Sequence, residues 1–342
     1  MLLSIIIPVY NEAAAIPVLL ARLSTVLRRL DCDYEVVFVN DGSKDETGSM
    51  LRNAAAVDSR VKVLEFSRNF VHQAAITAGL DFASGDAAVI MDADLQDPPE
   101  LIPEMLRLFR AGYDVVSAQR QSRRGDSLFK RWTAELFYSI MRRFVDERLQ
   151  PEVGDFRLFS RPAILALRKL REQHRFMRGM VAWLGLKEAI VPCHRESRVA
   201  GSTKYPLTKM LRFAWTAITS FSALPLRATG IAGMFVTVFG VSYLMYTVIE
   251  ALLYKTVVPG WTSLVCLQII FSGALLVGIG LVGDYVARIY EELKGRPLYV
   301  VSYSTNVPAQ ENEPDRYIVV ERPAPFSAEA ARVPLPLRKY VG

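Results

Sequence analysis

Three features of the sequence predict an α/β protein with a membrane-spanning appendage. Over residues 1 to about 120, short apolar runs alternate with segments of helical spacing. That alternation is expected of a mostly parallel sheet covered on both faces. Polar residues gather where the apolar runs stop: Tyr10-Asn11-Glu12, Asp41, Arg68-Asn69 and Asp92-Ala93-Asp94. Late in the chain lie two long stretches, Ala228 to Ile249 and Thr256 to Gly283, without a charged residue. Each reaches the ~20 residues that cross a bilayer as helix, although Pro259 and Gly260 mark the start of the second as loop.

The elements follow in order. Ser4 to Val9 is a continuous apolar strand, and Ile16 to Leu30 has helical spacing. Glu35 to Val39 is a second strand, stopped by Asn40-Asp41-Gly42-Ser43, a turn in its own right. Thr47 to Ala56 is helical, Val61 to Phe66 a strand, Val71 to Phe82 a helix, and Ala87 to Met91 the strand before Asp92. Pro99 to Ala111 is helical and Asp114 to Ala118 extended. Ligands of such sheets bind at the carboxyl ends of the strands, where all the polar groups named above fall.

The remaining chain is read by charge. Arg212 and Arg227 precede the first uncharged stretch, and Arg288, Lys294 and Arg296 follow the second, while the loop between offers only Lys255. The positive-inside rule therefore puts both long ends in the cytoplasm of a two-span protein of the inner (plasma) membrane. The N-terminus lacks a basic region and is read as a first strand, not a signal peptide. Cys32, Cys193 and Cys266 are scattered, as in a reducing compartment, and have no zinc spacing. The net charge of +6 suits an anionic membrane leaflet, and no nucleic-acid partner is expected. Leu128 to Val145 and Lys209 to Leu226 are amphipathic and basic, fit either to lie in the membrane interface or to pack on the sheet. The prolines and mixed charges of Pro308 to Pro336 predict a largely disordered tail. The expected division is a sheet domain over 1–206, a juxtamembrane helix over 207–227, two spans over 228–300 and the tail over 301–342. A homo-oligomer is compatible with this layout.

The chemistry begins at Val89-Ile90-Met91-Asp92-Ala93-Asp94-Leu95-Gln96-Asp97-Pro98-Pro99, where a buried run ends on two carboxylates one residue apart. Two anions held that close repel unless a cation sits between them. Oxygen donors favour Mg²⁺ or Mn²⁺, which commonly bridge to a diphosphate.

Together these residues resemble the inverting family 2 glycosyltransferases of GT-A fold. The resemblance is carried by Ile7-Pro8-Val9-Tyr10-Asn11-Glu12, Val39-Asn40-Asp41-Gly42-Ser43 and Asp92-Ala93-Asp94-Leu95-Gln96-Asp97-Pro98. It continues through Ser67-Arg68-Asn69-Phe70, Val153-Gly154-Asp155-Phe156-Arg157-Leu158 and Gly201-Ser202-Thr203-Lys204-Tyr205 into the paired spans. Within that family it looks like the polyprenyl-phosphate enzymes, bactoprenol glucosyltransferases and, more distantly, dolichol-phosphate mannose synthases. Val71 departs from the glycine of several relatives, and His72-Gln73 stand where bactoprenol glucosyltransferases often have Lys-Glu.

The resemblance implies inverting transfer of a hexose from a nucleotide diphospho-sugar, UDP-glucose first, to a polyprenyl (undecaprenyl) phosphate. It implies Asp94 as main metal ligand, with Asp92 and Gln96 completing the set. Pro8, Tyr10, Glu12 and Asp41 would hold the uracil and ribose, joined on the donor side by Arg68, Gln73 and Asp92, with His72 lining the pocket. His174 and His194 are read as structural. Arg120 and Arg131 are expected to hold the acceptor phosphate, since guanidinium forks match phosphate oxygens. Lys204 would reach either phosphate from a lid-like loop. Asp155 is the expected catalytic carboxylate, as base or as orienter.

Two alternatives stay open at this point. A processive polysaccharide synthase would carry Gln-x-x-Arg-Trp, whereas Leu128 precedes Arg131-Trp132 here. A non-catalytic scaffold that binds nucleotide sugar would not need Asp92, Asp94 and Asp155 intact.

Overall fold

A computed structural model of the chain describes residues 1–120, 153–193, 219, 224–254, 260–307 and 318–319. Its centre is four parallel strands: β1 (Leu2–Val9), β2 (Asp33–Asn40), β3 (Val61–Phe66) and β4 (Ala87–Ile90). Helices α1 (Ile16–Leu27), α2 (Thr47–Val57) and α3 (His72–Phe82) connect them. The strand Val115–Arg120 (β5) follows a turn at Pro99–Leu101 and helix α4 (Ile102–Arg110), which has a proline in its first turn, where the missing N–H costs nothing.

Pleating explains the core. Leu3, Ile5, Ile7 and Val9 of β1 point to the face covered by α1 and α4, while Ile6 points to the other, under α3. The described strands form one sheet in the order β7-β5-β6-β4-β1-β2-β3-β8-β9, where β6 is Val153–Ser160, β7 Glu188–Cys193, β8 Val300–Thr305 and β9 Ile318–Val319. This is a mostly parallel sheet of GT-A type. The chain leaves β1 for β2 and β3 on one side and returns for β4 on the other, so a crevice opens between the carboxyl ends of β1 and β4.

Beyond β4 the sheet departs from parallel. β6 runs antiparallel to β4 with Ile90 opposite Arg157, and continuing that register puts Asp155 opposite Asp92. The crevice thus gains a carboxylate from a strand that enters the sheet where its neighbour leaves. Helices α5 (Arg161–Lys169) and α6 (Met177–Leu184) follow β6. α6 ends on Gly185 at φ 62°, the left-handed cap that glycine takes without strain.

The two uncharged stretches become α7 (Leu224–Tyr254) and α8 (Trp261–Leu293), of 31 and 33 residues. At about 1.5 Å per residue each exceeds the ~30 Å hydrocarbon core of a bilayer. Met234 and Phe235 on α7 and Leu275 and Leu276 on α8 are about two-thirds exposed or more, a surface that water does not favour. α7 begins at Leu224, so the expected boundary at 227 falls inside the helix. The first amphipathic segment, 128–145, and most of the second lie outside the described residues.

The chain after α8 differs from the sequence reading. Residues 300–305, placed at the border of an unpatterned tail, form β8, antiparallel to β3. Alternation is weak there, and the strand is recognisable only through its partner. Just before it, Tyr299 is fully buried, stacked on Phe66 at 5.1 Å, and its hydroxyl donates to Asp81 Oδ2 at 2.7 Å. Asp81 also pairs with Arg171 at 2.8 Å. α8 is thereby tied to the sheet six residues after it ends.

α3 lies close on β1, because Gly79 allows it. A Cβ there would stand 2.1 Å from Ile6 Cγ2. Gly79→Ala is expected to lower stability by about 1–3 kcal/mol through overpacking, measured by denaturant unfolding of the purified protein; unchanged stability would mean α3 has room to move away.

Candidate active site

The crevice is a cavity of about 450 Å³ whose lining includes Pro8, Tyr10, Glu12, Asp41, His72, Asp92, Asp94 and Asp155. The first four come from the ends of β1 and β2, the next three from α3 and the end of β4, and the last from β6. Most of the expected donor and metal residues are therefore neighbours in space. Arg68 lies outside this lining, exposed, with its guanidinium 4.0 Å over the Phe70 ring and a hydrogen bond to the Asn69 carbonyl. Gln96 is likewise not in the lining; its backbone N–H donates to Asp94 Oδ1 at 3.1 Å. Arg120 closes β5 opposite Cys193. Arg131, Lys204 and His194 lie outside the described residues.

Short polar side chains lock the strand-end loops together. Ser43 Oγ accepts from Asn11 N–H at 2.9 Å, Asn11 Oδ1 accepts from Lys44 N–H at 2.8 Å, and Thr47 Oγ1 accepts from Glu12 N–H at 2.9 Å. Asp41 is buried, and its carboxylate accepts the Phe70 N–H at 2.6 Å. Burial raises its pKa against the pull of the Phe70 and Val71 N–H groups. Asp41 therefore shapes the loop before α3 as well as lining the cavity.

That loop holds the strained residue of the site. Val71 sits at φ 75°, ψ 150°, a region almost confined to glycine, and here a β-branched side chain occupies it. The departure noted in the sequence thus has a physical cost. Leu95, inside the acidic motif, is also left-handed at φ 60° while its side chain is buried, which turns the backbone sharply just after Asp94.

Asp155 is the most constrained group. His72 Nε2 lies 3.6 Å from Asp155 Oδ2 and 3.6 Å from Asp92 Oδ1. Gln73 Nε2 donates to Asp155 Oδ2 at 3.2 Å, while Gln73 Oε1 accepts the Met177 N–H at 3.2 Å. Arg178 Nε is 3.5 Å from Asp155 Oδ1. Burial pushes the Asp155 pKa up, but His72, Arg178 and Arg157 outweigh it and hold the carboxyl well below the usual range. For His72, burial favours the neutral ring, and Asp155, Asp92 and Asp41 outweigh that, so its pKa is raised. Gln73, expected on the donor side, has its amide turned to Asp155 and α6. Arg178 was not anticipated; nothing in its local sequence marks it, because its partner is 23 residues away.

Asp92 and Asp94 suit a hard divalent cation. Among the described residues no three acidic, His or Cys side chains form a closed ligand set. Mg²⁺ is commonly held by one or two carboxylates and completes its shell with substrate phosphate and water. Two oxygen donors opening on a polar cavity fit that description.

With this geometry in view, the chain matches the model of Glycosyl transferase family 2 over residues 4–167. It is 44% identical over 304 residues to the uncharacterized glycosyltransferase YkcC of Bacillus subtilis, covering 89% of this chain and 94% of that one. It is 40% identical over 304 residues to the bactoprenol glucosyl transferase of Shigella phage SfII, covering 89% and 98%. Among solved structures it is similar to glucosyl-3-phosphoglycerate synthase of Mycobacterium tuberculosis, with TM-score 0.46, 18% identity, and coverage of 64% and 76%. The chain belongs to glycosyl transferase family 2, and it is a glycosyltransferase.

Val71→Gly is expected to stabilise the protein by about 1 kcal/mol, since the relieved strain of about 1–3 kcal/mol exceeds glycine's added unfolded-state entropy. Thermal unfolding checks it, and a lower midpoint would contradict the strain.

Proposed function

We propose that the chain transfers a hexose from a nucleotide diphospho-sugar, with UDP-glucose as first donor, to a polyprenyl phosphate at the cytoplasmic face of the membrane. The observation that carries this reading is the meeting of Asp92, Asp94 and Asp155 in one crevice of a family 2 chain that also has two membrane-length helices. The bactoprenol glucosyl transferases at about 40% identity support the lipid-phosphate acceptor. The basic residues flanking α7 and α8 support a cytoplasmic location for both long ends.

Pro8, Tyr10, Glu12 and Asp41 would bind the nucleoside, since carboxylates accept hydrogen bonds from imide N–H and ribose hydroxyls. Asp92, Asp94 and Gln96 would hold Mg²⁺ or Mn²⁺, which supplies charge stabilisation to the departing diphosphate. Arg120, Arg131 and Lys204 would serve the acceptor phosphate and Arg68 the donor. An acceptor phosphate oxygen attacks the anomeric carbon in line. The bond from that carbon to the diphosphate oxygen breaks, and its electron pair leaves with the nucleoside diphosphate. One displacement inverts the centre, so an α-linked donor gives a β-linked product.

The test is mass spectrometry of lipid products from purified protein, undecaprenyl phosphate and a panel of nucleotide sugars, with and without EDTA. One donor is expected to yield a lipid-phosphate hexose that EDTA abolishes; no product from any donor, with protein that still binds UDP, would refute the reading. Asp94→Asn is expected to cut turnover at least about 100-fold, because a metal ligand acts mainly in the transition state. Near-wild-type turnover in a folded variant would remove Asp94 from that role.

A further inference from the structure

The geometry points to Arg178 as a ligand of the acceptor phosphate, with Asp155 as the anchor that holds it and not the base that deprotonates the acceptor. This rests on the transfer reading above and names a group within it. A phosphate monoester is mostly dianionic at neutral pH, its second pKa being about 6. It has little proton to lose before attack, and a base gains little. Its difficulty is approach, since the crevice that would hold the donor sugar is lined by Asp92, Asp94 and Asp155. A dianion reaches that point only beside a cation that the carboxylates hold in place.

Arg178 meets those requirements. Its charge does not depend on pH in the working range. Its Nε faces Asp155 Oδ1 at 3.5 Å, and its side chain is 29% exposed. The contact is longer than a close charge-assisted hydrogen bond, which normally falls near 2.7–2.9 Å, and it orients the guanidinium beside Asp155.

Its support is rigid. Met177 and Met180 of α6 are buried in the core, and Gln73 ties the helix start to the other oxygen of Asp155. One carboxylate thus sets Arg178 directly and, through a single amide, its helix.

The direction of approach agrees too. Met180 and Trp183 lie on the side of α6 away from Arg178. There they line a second cavity, of about 680 Å³, with Tyr285 and Ile289 of α8. α6 therefore stands between the carboxylates and the cytoplasmic end of a membrane helix. An acceptor arriving from that end would meet α6 before the carboxylates.

The experiment compares binding and kinetics in full-length protein in detergent. The probes are farnesyl phosphate, farnesol and UDP, followed by transfer to undecaprenyl phosphate. Arg178→Gln is expected to weaken farnesyl phosphate binding and raise the undecaprenyl phosphate KM at least about tenfold, as loss of a charge-assisted phosphate contact should. UDP affinity and donor KM should change less than about twofold, and Arg178→Lys should recover part of the loss. Wild-type farnesyl phosphate affinity in Arg178→Gln, or an equal loss of UDP, would overturn the assignment. If Arg178→Gln does not fold, the Lys variant carries the test: it should lose farnesyl phosphate affinity without losing UDP, and unchanged affinity for both would overturn the assignment. A wild type that binds farnesyl phosphate through Arg178 but transfers no sugar would refute the transfer reading and leave the phosphate ligand standing. Normal transfer with an unchanged variant would do the reverse.

Discussion

Repulsion among carboxylates is the constraint on which the site depends. Asp92, Asp94 and Asp155 line one crevice, and in a partly buried setting like charges raise each other's pKa unless cations intervene. The chain supplies compensating partners from two directions. α3 brings His72 between Asp92 and Asp155, and α6 brings Arg178 to the far oxygen of Asp155. The result is an alternating row, Asp92, His72, Asp155, Arg178, that leaves Asp155 ionised despite its burial. Remote features serve this row. Gly79 lets α3 lie on β1, and the antiparallel entry of β6 faces Asp155 to Asp92.

The strained backbone has the same origin. Val71 and Leu95 take left-handed conformations on either side of the crevice. One precedes the helix that presents His72, and the other follows Asp94. Such residues persist where their surroundings over-determine them. Here the surroundings are the Asp41 carboxylate, which grips the Phe70 N–H, and the apolar pocket that buries Leu95. A loop fixed in this way would not have to order itself on ligand binding, which would save entropy.

How much was legible in the sequence follows from how local each signal is. Continuous apolar runs marked β1 to β5, and polar residues at their ends marked the crevice, because period and punctuation are local properties. Pro8, Tyr10, Glu12, Asp41, Asp92, Asp94 and Asp155 accordingly meet as expected. β8 escaped notice, because a short, weakly alternating strand after two long apolar helices is recognisable only beside β3. Gln73 was read toward the nucleotide because it stands near donor-side motifs, yet its amide reaches Asp155, 82 residues away, and Met177, 104 residues away. Arg178 was missed for the same reason. Charge pairing across a fold has no period.

In the proposed reaction the acceptor phosphate displaces the nucleoside diphosphate directly, in one step, without a covalent sugar–protein intermediate. The most direct measurement is the anomeric configuration of the lipid-linked sugar, read from its proton coupling constants after transfer from an α-linked donor. A β-linked product is predicted. An α-linked product would mean two displacements or a different reaction geometry, and would contradict the account.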